Sequence, residues 1–295
     1  MDEVLFEGES DAPELVCLIH GWPDDLHLWD DLVPELLKTG QHRCLRVTLP
    51  GFGHHHGKTV NDGKQVPVSA PNFHENAQLV AEVIQAHRRG GEQVTLVVHD
   101  WGSVTGIQLQ RQFPQLVKRM VIMDIGPTDS LGFGAVFFMG AYYQWFNQAA
   151  YLTWRYVPLI GESVGNWMHR TSISRFKSEL WNRGPQDQSA SAAYYYHHFQ
   201  KDYWLHFLGR GKQLFQPRQG VPDPSCPTLF LYGTKGLGGG FKQWMDQLKA
   251  RPDCDVKAIP GDHWFMLKSP QETSDAVIEW LSIEGGGKLQ QKANM

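Results

Sequence analysis

The sequence predicts an α/β fold in which a mostly parallel sheet is flanked by helices and interrupted by an inserted helical lid. Three observations carry this. Short β-rich apolar runs recur with helical patterns between them, the alternation that builds a parallel sheet covered on its faces. The strand signal disappears from about residue 130 to 217, where aromatic, helix-compatible sequence takes over, and it resumes at Thr228. The length, 295 residues, suits one core carrying an insertion.

The apolar runs fall at residues 15–19, 44–49, 94–98, 120–123, 228–232 and 256–259, each short enough and β-branched enough to read as a buried strand. Residues 73–87 place Leu79, Val80, Val83 and Ile84 at helical spacing, and 104–113 read as a second helix closed by Pro114. A terminal helix is expected around 273–281. The division that follows is a core of residues 1–130 and 218–295 with a lid at 131–217. No internal repeat of solenoid period occurs. The glycine clusters at 238–240 and 285–287 lack the strand-to-helix setting and the Lys-Ser/Thr ending of a phosphate loop.

Composition is that of a globular protein, 41% hydrophobic and 20% charged, with a formal net charge of -4. That balance gives no basic surface to hold nucleic acid or anionic lipid. The first residues are acidic and lack the charged segment and apolar run of a signal peptide, so the expectation is a cytoplasmic enzyme, with no membrane insertion, present as a monomer or homodimer. Cys17, Cys44, Cys226 and Cys254 show no metal-type spacing and read as free core thiols. His54, His55 and His56 are adjacent, so their side chains cannot converge on one ion, and they read as a solvated loop. Aromatics are in excess, with 11 Trp, 9 Tyr and 15 Phe crowded between Phe133 and Phe215, as the wall of an apolar ligand pocket or as a Trp-rich packing interface.

The chemistry concentrates in three places. VTLVVHDWG, residues 94–102, is a buried strand running through a small-residue turn into a helix. A nucleophile on such an elbow projects from the sheet edge, and the amide of the next residue, Trp101, can face a developing oxyanion. The elbow residue is Asp100; the nearest serine, Ser103, stands three residues too late. A charge at a buried strand end needs a partner or a purpose. The competing reading is a plain cap on the following helix. LIHGWP, residues 18–23, ends a strand in His-Gly and turns tightly, leaving the Trp22 amide to donate, while Pro23 stiffens the turn at a place where a cis bond can occur. Taken alone, that is also what an ordinary strand-ending turn looks like. GDHWF, residues 261–265, lies just past the last strand, and His263 is the one histidine after it. An imidazole titrating near neutrality can take a proton from water.

A carboxylate nucleophile suits a particular reaction. Esters and amides are attacked at a carbonyl carbon, whereas an epoxide or alkyl halide is displaced at a saturated carbon, where a carboxylate attacks without first losing a proton. Water activated by His263 would then attack the carbonyl of the Asp100 ester, with charge held by two amides, and no cofactor is required.

HGWP at 20–23, HDWG at 99–102 and GDHW at 261–264 together resemble the epoxide hydrolase and haloalkane dehalogenase branch of the α/β-hydrolase superfamily. The resemblance covers nearly the whole chain, and HDWG is its specific part. It implies the α/β-hydrolase fold, Asp100 as nucleophile, His263 as base, and the amides of Trp22 and Trp101 as oxyanion donors. TLPGFG at 48–53 is similar to the family's D-x-P-G-x-G loop, with Thr48 in place of the usual Asp, a departure that touches loop structure more than chemistry. The lead before HGWP is short, so an edge strand of the usual eight is expected to be missing.

The branches differ in what receives the leaving group. An epoxide generates an alkoxide that needs an acidic O–H, while a halide needs weakly polar N–H donors such as indoles. YQWFNQ at 143–148 resembles the epoxide hydrolase segment whose leading tyrosine contacts the epoxide oxygen, which implies Tyr143. A second tyrosine is expected later, where AYYYHH at 193–198 offers Tyr194, Tyr195 and Tyr196, with Tyr195 or Tyr196 best placed. Tyrosine-rich faces also serve as packing. Trp22 favours the epoxide side, because dehalogenases of this branch more often carry Asn or Glu there; Trp101 is shared by both. The acid that orients the base usually follows the penultimate strand, where this chain reads YGTKGL at 232–237 with Gly236 at the expected place. Some relatives carry it after the strand leading into the lid, and MDIG at 123–126 then supplies Asp124. Asp246 and Asp262 suit the role less, and Asp124 as a turn or cap residue is the competing reading.

The expectation is therefore a cofactor-free hydrolase that opens a small apolar epoxide to a diol through an alkyl-enzyme ester. A haloalkane dehalogenase, holding halide with Trp101 and a lid tryptophan such as Trp145, is the alternative among enzymes. A binding protein that keeps the pocket without turnover is the alternative outside them.

Overall fold

A computed structural model describes residues 1, 3–50, 52, 71–127, 133–176 and 224–289, of which 133–143 and 174–176 by backbone alone. The described strands are β1 (Glu3–Glu7), β2 (Glu14–Ile19), β3 (His42–Thr48), β4 (Val94–His99), β5 (Val117–Met123), β6 (Thr228–Gly233) and β7 (Asp255–Ile259). They form one sheet in the order β1-β3-β2-β4-β5-β6-β7. Only β1 runs antiparallel to its neighbour; every other pairing is parallel.

A sheet covered on both faces needs strands that are apolar on both sides. Strand β4 meets this with all six residues buried, and β2 buries five of six. Alternation sorts these side chains onto two faces. Cys17, Ile19, Leu96 and Val98 join one cluster with Val80 and Ile84 of α2 (Phe73–His87) and Ile107 of α3 (Trp101–Gln112). Val16, Leu18, Val97 and Val121 join the other with Leu36 of α1 (Leu32–Lys38) and Val277 and Trp280 of the last described helix (Pro270–Leu281).

Helix α2 has the bounds its periodicity predicts, and Asn72 and Glu75 close it with a reciprocal capping box. Helix α3 starts three residues before the pattern suggests. Gly102 and Ser103 hide its first turn, since neither favours a helix interior. The strand β1 was not legible. Its five residues begin and end in Glu and leave Val4, Leu5 and Phe6 exposed, so no buried face marks it. The short lead supplies this one edge strand, so the described sheet has seven strands, one fewer than the usual eight, and Glu7 anchors the edge to Arg46 at 2.6 Å.

Between β5 and β6 the described chain forms α4 (Phe133–Tyr156) and α5 (Gly161–Phe176), packed against each other. At Gly165 an added Cβ would stand 2.7 Å from the Ala150 carbonyl, so the glycine permits the close crossing. The core is completed by α6 (Lys242–Ala250), α7 (Phe265–Lys268) and the terminal helix, α8 (Pro270–Leu281). The four cysteines are buried and free. Among the described residues, no helix is long and apolar enough to cross a membrane. Tyr194, Tyr195, Tyr196 and the run from His54 to His56 lie outside the described residues.

Candidate active site

Asp100 stands where β4 turns into α3, with φ 52° and ψ -126°. A non-glycine residue in that region carries roughly 1–3 kcal/mol of strain, which the surrounding contacts must hold in place. Its side chain makes no capping hydrogen bond to α3, so it is not a plain helix cap. Instead the Trp22 amide donates to Oδ2 at 2.8 Å, and the Trp101 amide also acts on the carboxylate. The other oxygen, Oδ1, lies 3.4 Å from His263 Nε2. Burial acts to raise the Asp100 pKa, but the hydrogen bond and charge from His263 outweigh it and hold the group below its ordinary value.

The turn that carries Trp22 is built for close approach. A Cβ on Gly21 would come within 2.4 Å of Asp100 Oδ2 and 2.7 Å of the Trp101 nitrogen. The Trp22–Pro23 bond is cis. His20 ties the turn to the end of β3: its Nε2 accepts the Leu49 N–H at 3.0 Å, which leaves Nδ1–H to donate to the Gly21 carbonyl at 2.7 Å. Thr48, the departure from the usual Asp, accepts the Leu26 N–H through its hydroxyl at 3.3 Å, an exchange confined to loop structure.

His263 follows β7 and precedes α7. Its Nδ1 lies 2.6 Å from Asp124 Oδ2. Asp124 follows β5 with φ 62°, and its carboxylate is fully buried. It accepts three backbone N–H groups besides: Leu237 at 2.9 Å, and Gly233 and Gly238 at 3.2 Å each. Gly236 lies against the same carboxylate. A Cβ there would stand 2.3 Å from Asp124 Oδ1, so the space a side chain at 236 would need is filled by the acid arriving from the neighbouring strand. Burial opposes ionisation of Asp124, yet the bond to His263 and the Leu237 amide hold its pKa low. His263 experiences the converse: burial disfavours its charge, but hydrogen bonds to Asp100 and Asp124 raise its pKa to about 10.

Two supporting contacts escaped sequence reasoning. His99 donates through Nε2 to the His263 carbonyl at 3.0 Å, and the two rings lie 4.5 Å apart. Burial and the neighbouring His263 push His99 down to about 4, so it remains neutral beside a charged partner. The Trp264 indole donates to the buried Asp24 at 2.8 Å, tying the histidine loop to the turn after Pro23. Their signal was adjacency: each lies in or next to a motif already singled out, without a role of its own.

Of the predicted residues, the structure thus brings together Asp100, His263, Asp124 and the amides of Trp22 and Trp101. Tyr143 falls on α4 where only backbone is described, and Tyr195 and Tyr196 fall outside. Trp145 is 54% exposed.

A parallel sheet with an acidic side chain on a strained strand-to-helix turn, faced by a histidine after the last strand, has the architecture of an α/β hydrolase. Residues 14–270 match the family model described as alpha/beta hydrolase fold, and the chain belongs to that family. Curated relatives include epoxide hydrolases and haloalkane and fluoroacetate dehalogenases, the branch its motifs resemble. A fluoroacetate dehalogenase from Burkholderia sp is 24% identical over 92% of this chain and 88% of its own length. Epoxide hydrolase 1 of Caenorhabditis elegans is 21% identical over 93% of this chain, which spans 66% of that relative. Among solved structures, a thermophilic esterase from Thermogutta terrifontis aligns with a TM-score of 0.63 at 17% identity, covering 94% of this chain and 92% of the esterase. That likeness speaks for the fold alone, so the reaction has to be argued from the site.

Proposed function

We propose that the protein is an epoxide hydrolase that works through an ester of Asp100. The observation that carries the reading is the division of labour between the two Asp100 oxygens. Oδ2 is held by the Trp22 amide, while Oδ1 faces His263 Nε2. Oδ1 attacks an epoxide carbon, the C–O bond of the ring breaks, and the alkoxide takes a proton from a tyrosine O–H. Tyr143, with Tyr195 or Tyr196, fits that role by resemblance. The ester carbonyl oxygen is then the former Oδ2, already held by the Trp22 amide, with the Trp101 amide beside the same group to share the negative charge.

Esterification removes the Asp100 charge, one of the two carboxylates that raise the His263 pKa. The imidazole is thereby moved toward neutrality at the step where it has to act as a base. Nε2 takes a proton from water, the hydroxide adds to the ester carbonyl, and the tetrahedral species collapses to the diol and free Asp100. His263 returns its proton to the tyrosinate. Asp124 keeps the Nδ1–H tautomer in place throughout. Its contact with His263 also argues against a non-catalytic binding protein, whose main support was the glycine at 236.

A dehalogenase reading draws on the Burkholderia relative. One observation weighs against it: Trp145, the lid tryptophan expected to hold the halide, is largely exposed. Single turnover in heavy-oxygen water tests the main reading. Water enters at the ester carbonyl, so the label should appear in the Asp100 peptide and the first diol should leave unlabelled. Label confined to the diol would mean direct attack by water. Parallel assays with styrene oxide, a bromoalkane and fluoroacetate separate the reactions; halide release without diol formation would favour the dehalogenase.

A further inference from the structure

Among the apolar residues that α4 and α5 bury, such as Ala150, Tyr151 and Ile173, lies a small polar cluster. Asn147 on α4 and His169 and Ser172 on α5 are withdrawn from solvent. His169 and Ser172 are three apart and so share one side of their helix. Asn147 Nδ2 donates to Ser172 Oγ at 3.0 Å, and its Oδ1 lies 3.1 Å from His169 Nδ1. An amide oxygen only accepts, so Nδ1 carries the ring proton and Nε2 is left as a bare acceptor. Burial, reinforced by the charge of Arg170, pushes the His169 pKa down to about 3, which keeps the ring neutral.

His169 Nε2 is enclosed and meets no donor among the described residues. An uncompensated buried acceptor is costly, and a leucine at this position would avoid that cost. As a tie between the helices, the Nδ1 side of the ring suffices. The ring also stands edge-on to Trp22, with centroids 6.3 Å apart, and the Trp22 amide is the one bonded to Asp100 Oδ2. His169 thus reaches from α5 to the turn that carries an oxyanion donor, and the mechanism above gives it no task.

We propose that His169 is a specificity-determining residue whose Nε2 accepts a hydrogen bond from a hydroxyl carried by the substrate outside the epoxide ring. Hydroxy-epoxides are then the preferred substrate class, an inference that rests on the epoxide reading above. A site built around such a bond discriminates against the analogue that lacks it, because the buried acceptor is then left unmet.

The test compares phenylglycidol with its deoxy counterpart, β-methylstyrene oxide. The parent protein should prefer the hydroxy-epoxide in kcat/KM by about tenfold or more, the factor expected of one buried hydrogen bond. His169→Asn can keep a donor toward Asn147 but has no group at the Nε2 position, and the preference should fall at least about tenfold. His169→Gln, which returns an acceptor oxygen near that position, should recover part of it. A parent ratio near one overturns the assignment, as does a ratio that His169→Asn leaves unchanged.

If the variants do not fold, nitrogen NMR of the parent decides. The Nε2 resonance should move when the triol from phenylglycidol is added and stay fixed with the diol from β-methylstyrene oxide. Movement with both, or with neither, counts against His169. Failure of the parent to open either epoxide would sink the epoxide reading instead, and the same titration would then judge His169 separately.

Discussion

Replacing Asp124 with asparagine should separate the two halves of the proposed reaction. The carboxylate receives His263 Nδ1–H at 2.6 Å and the amides of Leu237, Gly233 and Gly238 at 2.9, 3.2 and 3.2 Å. All four partners are donors, and an amide side chain offers one acceptor oxygen. With that oxygen kept toward Gly233 and Gly238, the new NH2 confronts the Leu237 N–H and the imidazole N–H. The ring relieves the clash by moving its proton to Nε2, the nitrogen that must take a proton from water. Loss of the correct tautomer in a serine triad costs about 10⁴-fold in kcat, which is about 5.4 kcal/mol at ~1.36 kcal/mol per decade. Hydrolysis of the ester should slow by about 10²- to 10⁴-fold. Alkylation needs no base and should change by less than about tenfold. Rapid mixing with styrene oxide should therefore give a burst equal to the enzyme concentration, then slow turnover, with an intact-mass increase equal to one substrate. Turnover at the parent rate without adduct would mean that another carboxylate serves or that His263 acts alone. Equal loss in both steps would reduce Asp124 to a structural residue.

Three further outcomes follow from the same geometry. Gly236→Ala places a Cβ where Asp124 Oδ1 lies 2.3 Å away, and overpacking of this kind costs about 1–3 kcal/mol; denaturant titration should show the loss together with slower ester hydrolysis, and an unaffected protein would contradict the filled space. Tyr143→Phe should slow alkylation by about tenfold or more, as loss of a positioned acid does, measured by the burst rate; a silent substitution with robust halide release dependent on Trp145 would hand the site to the dehalogenase reading. The His263 pKa is raised in the folded protein from 6.5 to about 10, so its stabilising contribution is whole below pH 6.5 and is lost as pH rises to about 10. The melting temperature should fall across that window and His263→Gln should flatten the fall; a parent curve level over the same range would show that the pairing does not stabilise the fold.

What the sequence disclosed was whatever leaves a periodic or positional trace. Strand β4 is six buried residues in a row, one longer than the 94–98 run predicts, and α2 has a capping box and a clean helical stripe whose two bounds were legible. The elbow could be located because an acidic residue at the end of such a strand has no packing reason to be there. The contact of Asp124 with His263 was open to an alternative, since it depends on β5 and β6 being neighbours and on the emptiness at Gly236, and neither is a local property. His99 and Asp24 were invisible as partners because a hydrogen bond spanning 164 or 240 positions has no signature in either segment. The edge strand β1 was missed for the opposite reason: it has little to bury.

Asp124 also sits where the chain leaves the sheet toward α4, and Gly126, two residues on, is wedged against Trp244, where a Cβ would stand 2.7 Å from the indole. The anchor of the histidine and the root of the insertion are thus one short piece of backbone. Anyone exchanging this insertion for that of another hydrolase has to place the upstream seam after Pro127. On the proposed mechanism, a graft that brought in foreign residues at 124–126 would import a new substrate wall and break the Asp124–His263 contact in a single cut. A relative with its acid in the loop after β6 would tolerate the same exchange, so the two arrangements differ in how freely their specificity can be recombined.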